Sequence, residues 1–179
     1  MVSLRACLSA VIRAPAAPVT VIFLALALAA PTAFAADVVA FKAGDAPGTI
    51  VVNTSERRLY LVLKGGRALR YTVGVGRAGR QWLGSSFING KHLRPHWAPP
   101  AEIKRDRPNV PDIILSGSPA NPMGAAALTL SGGEYAIHGT NRPNSIGGFV
   151  SYGCIRMHNQ DILNLFERVN VGTLVVVRR

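Results

Sequence analysis

The sequence predicts a single, mainly β domain with one late α-helix. Short β-branched or alternating apolar runs recur along the chain, glycine-rich turn signals separate them, and only one segment has a helical apolar stripe. With 179 residues and 49% hydrophobic content, the chain suits one packed domain. Repeat arrays, disordered chains and multidomain assemblies are excluded.

The N-terminus has the layout of a secretory signal peptide. Arg5 and Arg13 are the only charges before an uncharged apolar run, Val19–Ala30, and a small-x-small site follows at 33–35. The alternative, a membrane anchor, is disfavoured because Pro31 ends the run well short of the roughly 20 apolar residues that a spanning helix needs. We therefore expect export, with cleavage directly after the small-x-small site.

This cleavage would define the domain organisation. Residues 1–35 leave as the signal peptide, 36–48 form a short lead and 49–179 form the folded domain, without a stable membrane anchor. The formal charge of +11, which by itself fits nucleic acid, an anionic membrane or an acidic polymer, falls by two because two arginines leave. An exported chain meets an anionic wall in the periplasm and no nucleic acid. Cys7 also leaves, so Cys154 is the one remaining thiol.

The first half of the domain predicts a strand followed by a β-hairpin. Thr49–Asn53 is short and β-branched, and Arg58–Leu63 places leucine at every second position, which is the period of a strand. Gly65 and Gly66 supply a turn, and Ala68–Val75 returns along the first strand of the hairpin.

The second half predicts an irregular middle and then further strands. Residues 76–122 are rich in glycine, proline and asparagine, with short runs at Ser86–Ile88 and Ile113–Leu115 and one helical turn near Pro100–Lys104. Three later strands are predicted at Ala125–Leu130, Glu134–His138 and Thr173–Val177.

The predicted helix is Gln160–Val169, whose apolar residues fall on one face. Asn159 is the predicted N-cap, because asparagine favours that position. Asp161 in the first turn and Arg168 in the last turn suit the helix dipole, and Gly172 ends the segment.

A histidine and the remaining cysteine carry the candidate chemistry. His138 ends a predicted strand, and Cys154 follows it after a loop of glycine, proline and asparagine. A thiol with a reference pKa of about 8.5 needs a base or a cation beside it to act as a nucleophile. His138 can take the proton, Arg156 can favour the thiolate, and Gly153 lets a backbone N–H approach the reacting carbonyl. From these residues alone, a buried inert cysteine and a structural histidine remain an open alternative.

These residues lie within a longer pattern. The segment 137–177, beginning IHGTNRPNSIGGFVSYGCIRMHN, resembles the signature of the L,D-transpeptidase catalytic domain, the YkuD family: His-Gly, a loop of this length, then Ser-x-Gly-Cys-(Ile/Val/Leu)-Arg. Residues 49–77 resemble the opening hairpin of that family, and HWAPP and NPMGAAAL resemble elements of its middle. The resemblance covers about Thr49 to Val177.

The resemblance implies the roles of the catalytic residues. Cys154 would be the nucleophile, His138 the general base, and the backbone carbonyl of Gly139 would orient the imidazole in place of the carboxylate of a Ser-His-Asp triad. Ser151 and Gly153 would shape the turn and the oxyanion hole.

The resemblance leaves the roles of two other site positions open. Arg156 would hold the loop or bind a substrate carboxylate. Tyr152 stands where many members have histidine, so its part in binding or oxyanion support is undetermined. The segment Gln81–Gly84 also departs from the Thr-Pro-x-Gly of many members.

The resemblance also implies a β-sandwich fold and acyl transfer on peptidoglycan stem peptides, without a cofactor. The acyl group would pass to a second stem, giving a 3→3 cross-link, or to an envelope lipoprotein. Water as acceptor would make an L,D-carboxypeptidase, and a dead site would leave an inactive wall-binding module. Carbapenems are expected to acylate the cysteine. A sortase, and a wall endopeptidase with cysteine before histidine, have different residue order or spacing.

Other residues that could carry chemistry have simpler interpretations. His92 and His96 have the spacing of helical zinc ligands, but Pro95 lies between them and no third ligand is near, so no metal is predicted. His158 is interpreted as a surface residue. Trp82 and Trp97 could line the cleft or pack in the core. Seven basic residues in the middle could be a solvated face or attract an anionic wall: Arg77, Arg80, Lys91, Arg94, Lys104, Arg105 and Arg107.

Overall fold

The computed structural model describes residues 36–179, and it is mainly β, as predicted. The predicted signal peptide, with its apolar run and cleavage site, lies outside the described residues. Within 36–179, no helix is long and apolar enough to cross a membrane. The elements are β1 Asp37–Ala40, β2 Ile50–Asn53, β3 Arg58–Leu63, β4 Arg67–Thr72, β5 Val75–Gly76, β6 Gly84–Leu93, α1 Ala101–Asp106, β7 Ala126–Leu130, β8 Ala136–His138, β9 Phe149–Ser151, β10 Ile155–Arg156, α2 Asn159–Arg168 and β11 Leu174–Arg178.

Nine strands form one mixed sheet in the order β1-β4-β3-β2-β11-β6-β7-β8-β10, and β5 pairs with β9 separately. The β3–β4 hairpin is confirmed, with Arg58 opposite Thr72 and Leu63 opposite Arg67. The last strand, β11, lies parallel to β2 and antiparallel to β6, so it joins the hairpin half of the sheet to the half that carries the late strands.

The prediction of an irregular middle is wrong for β6, a strand of ten residues. Its first part pairs with β11 and its second part with β7, with a register shift between Ile88 and Gly90. Only Ser86 and Ile88 of its ten residues are buried, so the strand has no apolar alternation that the sequence could display. Gly90 is required there, because a Cβ would lie 2.6 Å from Oγ1 of Thr129.

The lead and the end of the hairpin also differ from expectation. The lead contains β1, an exposed edge strand whose Asp37 forms a 3.0 Å ion pair with Arg70. The predicted return strand breaks after Thr72, because the backbone of Gly74 exchanges two 2.8 Å hydrogen bonds with Arg156 instead of continuing along β3. The chain then re-forms a short strand, β5, against β9. This break brings the hairpin to the loop that follows Cys154.

One hydrophobic core joins both halves of the sheet to α2. Leu59 and Leu128 represent the two halves, and Ile162 and Leu165 supply the buried face of the helix. The helix is confirmed but starts one residue earlier, and His158 rather than Asn159 occupies the N-cap. At its other end, Nζ of Lys91 donates hydrogen bonds to the carbonyls of Phe166 and Val169 at 2.7 and 2.6 Å. These two hydrogen bonds link the C-terminal end of the helix to β6.

Candidate active site

Strand register brings the predicted catalytic residues together. β10 lies parallel to β8, with Ile155 opposite Ile137 and Arg156 opposite His138. Met157 donates a 2.8 Å hydrogen bond to the carbonyl of His138, which fixes this register. Cys154, directly before β10, therefore lies beside the start of β8. The pairing of these two strands brings the cysteine close to His138.

Cys154, His138 and Arg156 line a common cavity of about 530 Å³. One wall comes from β7, β8 and the turn between them, and the opposite wall comes from the segment 96–103, which includes the start of α1. Ser151 and Tyr152 also line it, so most of the predicted site residues share one space. Gly139 and Gly153 do not line the cavity, and their backbone groups hydrogen-bond to residues that do.

His138 is buried, and its Nδ1 lies 2.7 Å from the carbonyl oxygen of Gly139. Because a carbonyl only accepts hydrogen bonds, Nδ1 carries the proton and Nε2 holds the free lone pair. The pKa of His138 is lowered to about 4, chiefly by burial and also by the charge of Arg156, while the carbonyls of Gly139 and Pro122 oppose the shift. The imidazole is therefore neutral, and able to accept a proton, at physiological pH.

The thiol of Cys154 is also uncharged. Burial raises its pKa above the ordinary value, although the backbone N–H of Ala136 and the charge of Arg156 both act to lower it. Arg156 favours the thiolate, as predicted, but desolvation outweighs this attraction and the pKa of the thiol stays raised. A neutral thiol beside a neutral imidazole requires proton transfer during the attack rather than before it.

The turn before Cys154 is closed by Ser151. Its hydroxyl donates to the carbonyl of Cys154 at 2.6 Å and accepts from the N–H of Gly153 at 3.1 Å. The N–H of Gly153 is therefore used within the turn. The expected approach of a backbone N–H to the reacting carbonyl stays a prediction. Glycine is needed because its φ is +122° and because a Cβ would collide with the ring of Tyr135. Trp82 completes this support, donating from Nε1 to the carbonyl of Gly153 at 3.0 Å.

Tyr152 connects the catalytic loop to α1. Its hydroxyl donates to Oδ2 of Asp106 at 2.7 Å, and its ring lies 4.0 Å from the guanidinium carbon of Arg77. Arg77 in turn donates to the same Asp106 oxygen at 2.9 Å. A histidine side chain could not make this hydroxyl contact with Asp106 in the same way. The spacing of Tyr152, Asp106 and Arg77 in the sequence does not predict their network. The departure at Tyr152 is therefore part of a local network that holds the cavity wall 96–103 near the thiol.

Asn159 was predicted to be the N-cap of α2, but its side chain instead holds a turn of the site. Its Oδ1 accepts hydrogen bonds from the N–H groups of Ala125 and Thr140, both at 3.0 Å, and its Nδ2 donates to the carbonyl of Thr140 at 3.0 Å. The backbone of Gly139 passes so close that a Cβ there would collide with Oδ1 of Asn159. Asn159 therefore fixes the turn whose Gly139 carbonyl holds the imidazole.

We expect Asn159→Ala to lower both stability and activity. The change leaves the N–H groups of Ala125 and Thr140 without their acceptor and frees the turn that orients His138, at a total cost of about 1–3 kcal/mol. Thermal unfolding should show a lower Tm, and acylation of Cys154 should slow about tenfold at temperatures where the variant is folded.

Asn164→Ala is the matched control for this change. It lies on the same helix, but its Oδ1 accepts from the hydroxyl of Tyr71 and from Nε of Arg168, away from the turn. It should lose stability without slowing acylation of the folded protein. Equal slowing by both variants would show that Asn159 acts only through general stability.

The other histidines and the two tryptophans that the sequence singled out have mainly structural contacts or line the cavity wall. His96 accepts a 2.9 Å hydrogen bond from Ser116, and His158 is not among the residues that line the cavity. Trp97 lines the cavity, whereas Trp82 stacks on Tyr135 with ring centroids 5.4 Å apart. Within residues 36–179, no three His, Cys, Asp or Glu side chains form a group that could hold a metal.

The basic middle of the chain is partly neutralised by local ion pairs. Arg77 pairs with Asp106, Arg80 with Glu102, and Lys104 with Asp112. These pairs brace α1 and its flanks. With Lys91, which holds the end of α2, four of the seven basic residues in that region therefore have a structural use.

Comparison with known proteins identifies relatives of this domain. The model of the YkuD family, described as an L,D-transpeptidase catalytic domain, matches residues 47–177. A protein of Escherichia coli K12 named "Probable L,D-transpeptidase YbiS" is 40% identical over 135 residues, which is 70% of this chain and 43% of that protein. The chain thus spans less than half the length of that curated relative.

Solved structures show the same fold. An L,D-transpeptidase from Mycobacterium smegmatis superposes with a TM-score of 0.59 at 16% identity, over 73% of this chain and 58% of that chain. The L,D-transpeptidase LdtMt1 in complex with imipenem gives 0.56 at 19% identity, over 73% and 58% of the two chains.

Proposed function

Because this chain belongs to the YkuD family of L,D-transpeptidase catalytic domains, we propose that it is an exported peptidoglycan L,D-transpeptidase acting through Cys154. The observation that carries the proposal is the parallel pairing of β8 and β10. It places Cys154 and His138 in one cavity, with Nδ1 of His138 bonded to the Gly139 carbonyl. A nucleophile, a base and a group that orients the base are the minimum that acyl transfer needs.

The first half-reaction transfers a stem peptide to the enzyme. As Sγ of Cys154 attacks the carbonyl at the L-centre of the third stem residue, its proton passes to Nε2 of His138. The bond from that carbonyl to the following D-residue then breaks, and the imidazolium gives its proton to the departing amine. The thioester of Cys154 remains, and the D-amino acid leaves.

Arg156 is proposed to bind the carboxylate of the D-residue. Its side chain lines the cavity, and none of the ion pairs found in residues 36–179 includes it. Its Nε is buried without a hydrogen-bond partner from the described residues. A buried guanidinium without an anion is costly, so a substrate carboxylate fits this position. This role supplements the backbone bonds by which Arg156 also holds the loop to Gly74.

In the second half-reaction an amine resolves the thioester. A side-chain amine of another stem would give a 3→3 cross-link, and an amine on an envelope lipoprotein would anchor that protein. Neither half-reaction requires a cofactor. The imipenem complex of LdtMt1 supports the further proposal that carbapenems acylate Cys154 here.

Product analysis of the wild-type protein tests this function. Residues 36–179 incubated with a disaccharide tetrapeptide ending in D-Ala should lose D-Ala and form a cross-linked dimer, both visible by mass spectrometry. The same stem ending in L-Ala is the matched control and should stay intact. Loss of D-Ala without a dimer would indicate an L,D-carboxypeptidase. No reaction, together with no carbapenem adduct on Cys154, would leave only an inactive wall-binding module.

A further inference from the structure

We propose that Glu134 binds the protonated amine of the acceptor, and so makes the cavity selective for amines over water. The inference rests on the proposed transpeptidase function and concerns the same cavity. It names a group, an ammonium ion, and the residue that receives it.

Two carboxylates line the cavity, and they differ in their partners. Glu102 on α1 is ion-paired with Arg80. Glu134, exposed in the turn before β8, takes part in no ion pair or hydrogen bond within residues 36–179. In a chain with 20 basic and 9 acidic side chains, an acidic group without a cation beside a nucleophile stands out. Its charge is available to a ligand.

The position of Glu134 separates it from the donor-binding end of the cavity. Along the paired strands, Arg156 and His138 are level with each other, and Cys154 comes earlier, where Ala136 directs its N–H at the thiol. Glu134 precedes Ala136 by two residues, in the turn before β8, so it lies beyond the end of β8 that is remote from His138 and Arg156. The thiol thus lies between a positive group and a negative group. The carboxylate is near enough to oppose ionisation of Cys154.

This polarity fits the two reactants in turn. The departing residue of the donor carries a carboxylate, which Arg156 attracts and Glu134 repels. The acceptor carries an amine, which is an ammonium ion at neutral pH and is attracted only by Glu134. Water gains nothing from the negative charge, so Glu134 raises the local concentration of the amine relative to its competitor.

The group transfer balances as follows. The ammonium held by Glu134 loses one proton to solvent, and the free amine attacks the thioester carbonyl. A C–N bond forms as the C–S bond breaks. The second amine proton passes through Nε2 of His138 to the departing sulfur, so Cys154 returns to a thiol and the imidazole to its neutral form.

Glu134→Gln tests the inference with an acceptor that cannot act as a donor. The tripeptide L-Ala-γ-D-Glu-meso-diaminopimelate is titrated against a fixed concentration of disaccharide tetrapeptide, and dimer formation is followed. We expect the apparent acceptor KM to rise about fivefold at low salt, as for one partly exposed ion pair. The rate of the first acylation of Cys154, measured as a single-turnover burst of D-Ala or as the carbapenem adduct, should stay within about twofold of wild type, because no acceptor takes part in that step.

Charge reversal, a matched control and salt sharpen the test. Glu134→Lys should raise the acceptor KM more than Glu134→Gln, whereas Glu102→Gln, whose carboxylate is already paired, should leave it within about twofold. At about 0.5 M salt, the wild type should approach the Glu134→Gln value, because screening removes the attraction. A merely structural role would produce no such salt dependence. Thermal unfolding checks that each variant is folded.

Three results would overturn the proposal. The first is an unchanged acceptor KM in Glu134→Gln. The second is a slowing of the single-turnover acylation of Cys154 equal to the loss of dimer formation, which would mean that Glu134 acts on the thiol. The third is a wild type that releases D-Ala but never joins the tripeptide, which would leave the acyl-enzyme chemistry standing without an amine site. A wild type that neither releases D-Ala nor accepts a carbapenem would remove the proposed function itself, and this inference with it.

Discussion

Cys154→Ala is expected to abolish both D-Ala release and dimer formation, a loss of at least about 10⁴-fold. The proposed reaction runs through a thioester, and no other thiol exists in residues 36–179. Removing a covalent nucleophile removes both half-reactions together rather than weakening one of them. The measurement is D-Ala release from the tetrapeptide, with intact-mass analysis for the carbapenem adduct.

The fold should survive this change, which makes the result interpretable. Cys154 lines the cavity and does not belong to the hydrophobic core, and the turn around it is closed by backbone groups and Ser151 rather than by the sulfur. Cys154→Ser is the matched variant. It should retain the Tm of the wild type but lose almost all activity, since a hydroxyl group is far less acidic than a thiol and this imidazole is supported by the neutral Gly139 carbonyl rather than by a carboxylate. Substantial D-Ala release by Cys154→Ala would place the chemistry elsewhere.

The sequence predicted the parts of the fold that depend on local pattern. The leucine alternation of Arg58–Leu63 and the apolar stripe of α2 are visible in one stretch of chain, and both elements formed where expected. The sequence did not predict strand β6, because this strand is defined by its pairing with β11 and β7 rather than by the pattern of its own side chains. The exposed edge strand β1 also has no sequence pattern that predicts it, for the same reason. Pairing between distant segments leaves no periodic signal.

The candidate site divides in a similar way. The residue types at His138 and Cys154 could be found from the sequence, since chemistry restricts them. Their electrostatics could not, because desolvation depends on the completed cavity, and it outweighs the expected effect of Arg156 on the pKa of the thiol. Asn159 was misassigned because the same residue type suits a helix cap and a backbone clamp. Which one it forms depends on the turn at 139–140, 19 residues earlier in the chain.

His138→Ala is expected to slow acylation of Cys154 by about 10³-fold at neutral pH, the range for loss of a positioned general base. Burial raises the pKa of the thiol, so without the imidazole few molecules carry a thiolate. The variant should therefore regain activity as the pH rises, because hydroxide then ionises the thiol directly. His158→Ala is the control: it removes the histidine at the N-cap of α2, outside the cavity, and should stay within about twofold of wild type. The opposite pattern would make His158 the base.

The pH profile of the wild type gives an independent check on His138. The base works only when neutral, so activity is lost as the pH falls through its pKa, and burial and Arg156 hold that pKa at about 4 rather than at the ordinary 6.5. We therefore expect kcat/KM for D-Ala release to stay nearly constant from neutral pH down to about pH 5 and to fall below it. An acidic limb near pH 6.5 would mean that the working histidine is solvated. Because burial of His138 and the charge of Arg156 set this limb together, Arg156→Gln should move it upward, towards the ordinary value, while the imidazole stays bonded to Gly139.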